Sequence, residues 1–301
     1  MLTVLGPTAS GKTNLAVKIA HEFNGEIISA DSRQIYKGMD IGTGKDLDEY
    51  IVDNNKIPYH LIDIISPLQD YSIYNYQIDF QDAKTLVKSK NKLPIFCGGS
   101  GLYLESILLN YQISKTPANK KLRNELENES LSYLIAKLKS INSKSYNHEY
   151  HISKRRLIRS IEILTHSDKI EMDKNSLHSL SDILVLGIKI DRQLILKKIK
   201  NRLIERLDSG MIQEVEGLIS NGVSIDRLKY FGLEYKFIAN YLDNVLTYDE
   251  MLYQLNNAIN RFSKRQMTFF RRMEKRGINI NWVEKSDYKK IKKLIINYLN
   301  Q

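Results

Sequence analysis

The chain has 301 residues, of which 42% are hydrophobic and 27% charged, as in an ordinary soluble globular protein. Its single cysteine, Cys97, excludes an internal disulfide, a zinc finger and any other multi-cysteine metal site, and no apolar run approaches the roughly 20 residues that span a bilayer. The +10 net charge lies wholly in the second half, because residues 1–150 hold 17 of the 45 Lys+Arg and 17 of the 35 Asp+Glu. A neutral half joined to a basic half suggests a polyanionic partner such as nucleic acid; solvated lysine-rich faces are the plain alternative.

In chain order, Leu2–Leu5 reads as a short apolar strand, which leaves no room before it for a signal peptide, so a cytoplasmic protein is expected. The segment GPTASGKT follows, then apolar residues at helical spacing from Asn14 to Phe23 and a second strand from Glu26 to Ala30. A helix is predicted over Tyr76–Lys90, a strand over Leu93–Cys97, and a helix over Leu102–Leu109 after the turn Gly98-Gly99-Ser100-Gly101. This order implies an α/β fold with a parallel sheet and right-handed crossovers. The loops after residues 5, 30 and 97 then share the carboxyl edge of the sheet, where ligands bind. Residues 111–183 read as a mostly helical insertion in a core made of 1–110 and 184–301. Strand character returns at Ile183–Ile190. Long basic helices are predicted over Arg192–Ser220 and Tyr248–Arg276, and a last short strand over Asn279–Val283.

GPTASGKT, from Gly6 through Pro7, Thr8, Ala9, Ser10 and Gly11 to Lys12 and Thr13, fits the phosphate-loop template at every fixed position. Gly6 and Gly11 let the backbone curl until its N–H groups face phosphate oxygens, and the following helix adds the positive end of its dipole. Lys12 adds a point charge, and the Thr13 hydroxyl suits Mg²⁺ bridging phosphate oxygens. The loop specifies phosphates and not ATP. Asp31 closes the second strand and is placed across the mouth of the loop. It could hold Mg²⁺, take a proton from a hydroxyl or an amine, or merely cap the next turn.

Four segments in order, GPTASGKT, DSRQIYKGMDIGTGK (31–45), IPYHLIDI (57–64) and PIFCGGSGLYLESIL (94–108), resemble the tRNA dimethylallyltransferase family. In the second half, RLIRSIE (156–162) is similar to that family's R-L-x-R-A-L-E helix and KRQMTFFR (264–271) to its K-R-Q-x-T-W-x-R helix. The resemblance implies a P-loop NTPase-like core. It also implies transfer of a dimethylallyl group from dimethylallyl diphosphate to N6 of the adenosine at tRNA position 37, with Mg²⁺ as cofactor; the sequence gives no clear sign of an oligomer, so a monomer is expected. The loop would then cradle a departing diphosphate, Arg202 would reach it, and Asp31 would take the N6 proton. Ser100 stands where the family usually has threonine; its plain role is a helix N-cap.

For RNA, the resemblance points to Asp31, Ser32, Arg33 and Gln34, to Ser100, to Arg123 on the insertion, and to Arg155, Arg156, Leu157, Ile158 and Arg159. It further points to Arg261, Lys264, Arg265, Gln266, Thr268 and Arg271. Helical spacing puts Arg261, Lys264, Arg265, Thr268, Arg272 and Lys275 near one face, and Phe262, Phe269 and Met273 on another. Four departures stand out: Gly44 and Asp46 for Ala and Pro, the segment His151–Lys154, Phe269-Phe270 in the tryptophan region, and YFGLEY (230–235) where a G-Y-[KR]-[EQ] segment is typical. The last reverses a charge, at Glu234, on the expected RNA surface. Competing readings are a P-loop nucleoside or nucleotide kinase, an adenylate dimethylallyltransferase using free AMP, and a non-catalytic RNA-binding protein.

Overall fold

The first strand, β1 (Leu2–Leu5), is buried along its whole length, as a parallel strand covered on both faces must be. The computed structural model describes residues 1–148, 151, 153–166 and 183–300. The chain divides into two compact units, Met1–Tyr111 with His178–Gln301, and Gln112–Leu177.

In the first unit β1 is followed by α1 (Lys12–Glu22), β2 (Gly25–Ala30), a small antiparallel hairpin of β3 (Ile51–Val52) and β4 (Asn55–Lys56), and β5 (Tyr59–His60). Then come α2 (Ile73–Ser89), β6 (Leu93–Gly98) and α3 (Gly101–Leu108). The second unit holds α4 (Lys120–Glu127), α5 (Leu131–Ile141) and α6 (Lys154–Thr165). The chain then returns to the first unit with β7 (Leu184–Ile188), α7 (Arg192–Asp208), α8 (Met211–Ser220), α9 (Ile225–Phe231), α10 (Leu233–Leu242), α11 (Tyr248–Lys275), β8 (Ile280–Val283) and α12 (Tyr288–Leu299). The strands pair in the order β5-β2-β6-β1-β7-β8, and every neighbouring pair is parallel. Three layers result. On one face, α1 and α12 bury Leu15, Ile19, Ile291 and Ile295 against Leu2, Val4 and Ile27. On the other, Tyr76, Phe80, Leu104, Phe270 and Met273 cover Ile28, Phe96 and Val185. Helices α7 to α11 share a further core around Leu203, Met211, Tyr235 and Leu255.

One expectation changes and three helices are added. The predicted helix over Arg192–Ser220 is two helices, because Gly210 adopts φ +98 between them. Helices α9, α10 and α12 fill spans to which the sequence reading assigned no element. Residues 167–182 of the predicted insertion, and Ile152 in the departure at His151–Lys154, lie outside the described residues.

In the second unit, Leu126, Leu134, Leu138, Leu157, Ile158 and Ile161 pack together. The Glu162 carboxylate, about 1% exposed, accepts hydrogen bonds from the Asn119 N–H and from Arg123 and Arg159, and Arg159 also donates to the Thr116 carbonyl.

Glu26 fastens one end of the sheet. Its carboxylate, 1% exposed on β2, meets His60 Nε2 at 2.7 Å and Lys92 at 2.9 Å, with Lys90 at 3.2 Å. Burial works against this charge, but the hydrogen bonds from Lys92, His60 and Lys90 outweigh it and hold the carboxyl down at about 2. A depressed carboxylate stabilises the fold fully above its unfolded value near 4.5, and that stability is lost as pH falls toward 2. Acid titration followed by circular dichroism should therefore show wild type losing stability between those values. Glu26→Gln should lack that component and be less stable at neutral pH by about 2–3 kcal/mol.

Candidate active site

Parallel pairing brings the ends of β1, β2, β6, β7 and β8 to one edge, and the candidate residues follow those ends. The phosphate loop, Gly6 to Thr13, leaves β1; Ala9 takes φ 61 and Gly11 φ 80, and Lys12 and Thr13 open α1. The Ser10 hydroxyl is buried in this loop without a protein partner. Burial lowers the pKa of Lys12, with Cys97 and Asp31 opposing that shift and Arg202 adding to it. Those three groups are the lysine's electrostatic neighbours. The Cys97 thiol is pushed up to about 12 by burial and stays neutral, which removes it as a nucleophile.

Arg202 projects from α7 and hydrogen-bonds the Thr8 hydroxyl. Burial brings its pKa down to about 10, with Arg206 beside it, so it keeps its charge at neutral pH. A desolvated arginine aimed at a phosphate loop is suited to an oxyanion.

Asp31 is half-buried. Its Oδ1 accepts the Arg33 N–H at 2.9 Å, so the turn-capping role is realised by one carboxylate oxygen. Ser100 does not cap α3 with its side chain. Its hydroxyl accepts the Ser32 N–H at 3.0 Å and lies 3.3 Å from the Ser32 hydroxyl, tying the β6 loop to the β2 loop. Gln34 is also spent inside the site, donating to the Gly44 carbonyl at 2.9 Å and accepting from Ser29. Arg33 donates to the Tyr230 carbonyl and lies 5.6 Å from the Tyr230 ring centre.

The departures at residues 44 and 46 have a common cause. Gly44 has φ +64, and a Cβ there would stand 1.9 Å from the Arg206 guanidinium, which pairs with Asp46 at 2.8 Å. The loop is further fixed by Lys45, 1% exposed, whose ammonium donates to the Tyr36 carbonyl, Asp40 and Asp63. On its other side Glu214 accepts the backbone N–H groups of Asp40, Ile41 and Gly42 and the Tyr235 hydroxyl. Glu234 is half-buried, burial raises its pKa, and Arg206, Arg202 and Asp31 are its charged neighbours.

The basic face of α11 is present, with corrections. Arg261, Lys264, Arg265, Thr268, Arg271 and Lys275 are exposed. Arg272 and Arg276 are exposed as well, at 44% and 49%, and also pair with the fully buried Glu105, at 2.5 and 3.2 Å. Gln266 is 6% exposed and both ends of its amide are engaged, which removes it from the RNA face. On α6, Arg155 and Arg156 are exposed, whereas Leu157 and Ile158 are core, so their side chains are withdrawn from any RNA. Arg123 and Arg159 are held by Glu162.

Sequence reading missed Lys285 and Glu49. The Lys285 ammonium lies 3.1 Å from the point where a side chain on Gly11 would begin, and burial lowers its pKa against the pull of Glu49. Burial raises the pKa of Glu49, which is near Lys285, Arg202 and Lys12. Lys285 was within reach of sequence argument, since it stands two residues past a parallel strand and hence at the ligand edge.

Residues 34–273 match the family described as IPP transferase. The chain belongs to the IPP transferase family. It is 48% identical over 286 residues to tRNA dimethylallyltransferase 2 of Bacteroides fragilis, covering 95% of this chain and 93% of the relative. To tRNA dimethylallyltransferase 1 of Syntrophus aciditrophicus it is 46% identical, with 97% and 96% covered. Among solved structures, the full-length tRNA isopentenylpyrophosphate transferase of Bacillus halodurans superposes with a TM-score of 0.71 at 29% identity, over 99% of this chain and 96% of that one. A eukaryotic dimethylallyltransferase, solved acting on tRNA, shares the fold with a TM-score of 0.77 at 20% identity, over 96% and 74%. This IPP transferase is thus an α/β enzyme of a prenyl-transferring family, and among the described residues no helix is long and apolar enough to cross a membrane.

A loop built this way should bind inorganic pyrophosphate without any acceptor. By calorimetry, Lys12→Met should weaken that binding by about tenfold or more, the worth of one charge-assisted contact.

Proposed function

We propose that this IPP transferase moves the dimethylallyl group of dimethylallyl diphosphate to N6 of the adenosine at position 37 of a tRNA anticodon loop and releases diphosphate. The observation that carries this reading is the convergence, at one sheet edge of a member of this family, of the phosphate loop after β1, Arg202 bonded to Thr8, and Asp31 at the end of β2. As N6 attacks the allylic carbon, the C–O bond breaks and its electron pair leaves on the diphosphate. The loop amides, Lys12 and Arg202 take up that developing charge. Asp31 receives the N6 proton through the carboxylate oxygen left over from the Arg33 turn. An exocyclic adenine amine is a poor nucleophile, so losing its proton during attack lowers the barrier.

The loop fits Mg²⁺. Thr13 offers a hard oxygen at the first turn of α1, and the partnerless Ser10 hydroxyl suits a site completed by a polar ligand. Among the described residues no three His, Cys, Asp or Glu side chains gather to form a cage. Thr13 would therefore hold the ion together with diphosphate oxygens and water, and the bound ion would add charge stabilisation to the leaving group.

The acceptor base must leave the loop stack to reach Asp31, and single-stranded loops are where RNA exposes such bases. Arg261, Lys264, Arg265 and Arg271 supply a row of exposed cations for the RNA backbone, and Arg155 and Arg156 supply a second patch.

Labelled dimethylallyl diphosphate, Mg²⁺ and unmodified tRNA should give labelled tRNA, with AMP and ATP as control acceptors. Label in AMP and none in tRNA would overturn the reading. Asp31→Asn keeps the turn and removes the base, so its kcat should fall by about a hundredfold or more. Full activity would reduce Asp31 to a turn cap. Lys264→Ala with Arg265→Ala should raise KM for tRNA and flatten its salt dependence by roughly one unit of log–log slope per lost phosphate contact.

A further inference from the structure

Gln266 belongs to the helix that carries the exposed cations, yet it faces the opposite way. Its Oε1 accepts the Thr8 N–H at 2.8 Å, and its Nε2 donates to the Gly99 carbonyl at 2.8 Å. Both partners lie more than 160 residues away in sequence, one in the loop after β1 and one in the loop after β6. The fit is close: a Cβ on Gly99 would lie 2.5 Å from Gln266 Nε2 and 3.2 Å from the Gly6 carbonyl. Thr8 is gripped twice, through its hydroxyl by Arg202 from α7 and through its amide by Gln266 from α11. A loop that binds an anion through backbone N–H groups works only if its backbone is held in the binding curl. The amide nitrogen of Thr8 cannot turn toward solvent while the glutamine, packed against Gly99, holds it.

We propose that Gln266 is a positioning residue for the diphosphate. It fixes the phosphate loop against the β6 loop from the back of the helix whose front carries the exposed cations, so one helix sets both the donor loop and the basic face. This rests on the reading of the loop as a diphosphate site, and it assigns Gln266 to the donor and not to RNA. The side chain touches neither substrate and acts through Thr8 and Gly99.

The test separates donor from acceptor without turnover. Calorimetry gives the affinity for inorganic pyrophosphate with Mg²⁺, and fluorescence anisotropy gives the affinity for an unmodified anticodon stem-loop. Gln266→Met keeps the length and removes both hydrogen bonds. It should weaken pyrophosphate about tenfold, roughly one buried hydrogen bond, and leave the stem-loop affinity within twofold. Gln266→Asn, one methylene short of both partners, should show the same split. In steady state the two variants should raise KM for dimethylallyl diphosphate and leave KM for tRNA in place. Weaker stem-loop binding with unchanged pyrophosphate would overturn the proposal in favour of a direct RNA contact. Equal loss of both affinities in both variants would overturn it in favour of a general packing role, and no change in either would also sink it. A wild-type chain that binds pyrophosphate but fails to prenylate tRNA would refute the proposed reaction while leaving the split between the two affinities to judge Gln266.

Discussion

Parallel pairing of β1 between β6 and β7 is the constraint on which the site depends. It fixes Leu5 beside Gly98 on one side and Gly187 on the other, and β6 in turn sets Gly98 beside Ala30. The chain therefore leaves three neighbouring strands at the same height, and the loop after each strand is held within a few residues' reach of the others. Lys12, Asp31 and Ser100 owe their proximity to this register rather than to attraction among themselves. A slip of one residue in any pair would send every side chain of that strand to the opposite core and part the loops.

Above the sheet edge, charges are arranged in opposed sets. Lys12 lies in the phosphate loop and Arg202 and Lys285 approach it, with Arg206 next to Arg202, and Asp31, Asp46, Glu49 and Glu234 are their charged neighbours. Burial pulls Lys12, Arg202 and Lys285 toward neutrality and Glu49 and Glu234 toward protonation, so each set sustains the charge of the other. A polyanion entering such a pocket exchanges weak contacts with carboxylates for stronger ones among the cations. The same arrangement accommodates the departure at Glu234, which has Arg206 and Arg202 as charged neighbours.

What could be read from sequence was local. The phosphate loop is eight consecutive residues between a strand and a helix, and β1, β2, β6, β7 and α11 carry their own periodicity. The parallel sheet followed from element order. Residues whose meaning depends on remote partners were not legible. Gln266 sits in a row of cations, and only the fold shows it turned inward to Thr8. Leu157 and Ile158 lie inside a basic motif but form core, because helical spacing alone does not reveal which face a second unit buries. Arg272 stays exposed on the stripe, but its pairing with Glu105, buried at 0% exposure, was invisible in the sequence. The break at Gly210 was visible as a glycine, but its conformation was not.

The placement of β1 also bears on how the chain is made. Its partner β6 ends at Gly98, whereas β7 begins at Leu184, with the whole second unit between them. On the ribosome, β1, β2 and β6 can associate early, and β1 then presents an unsatisfied edge of N–H and C=O groups until β7 emerges. At 5–20 residues per second that wait lasts about 4 to 17 seconds. Through that interval the half-built sheet is open to pairing with any other extended strand. Helices α3 to α6, which satisfy their own backbones, do not themselves supply one.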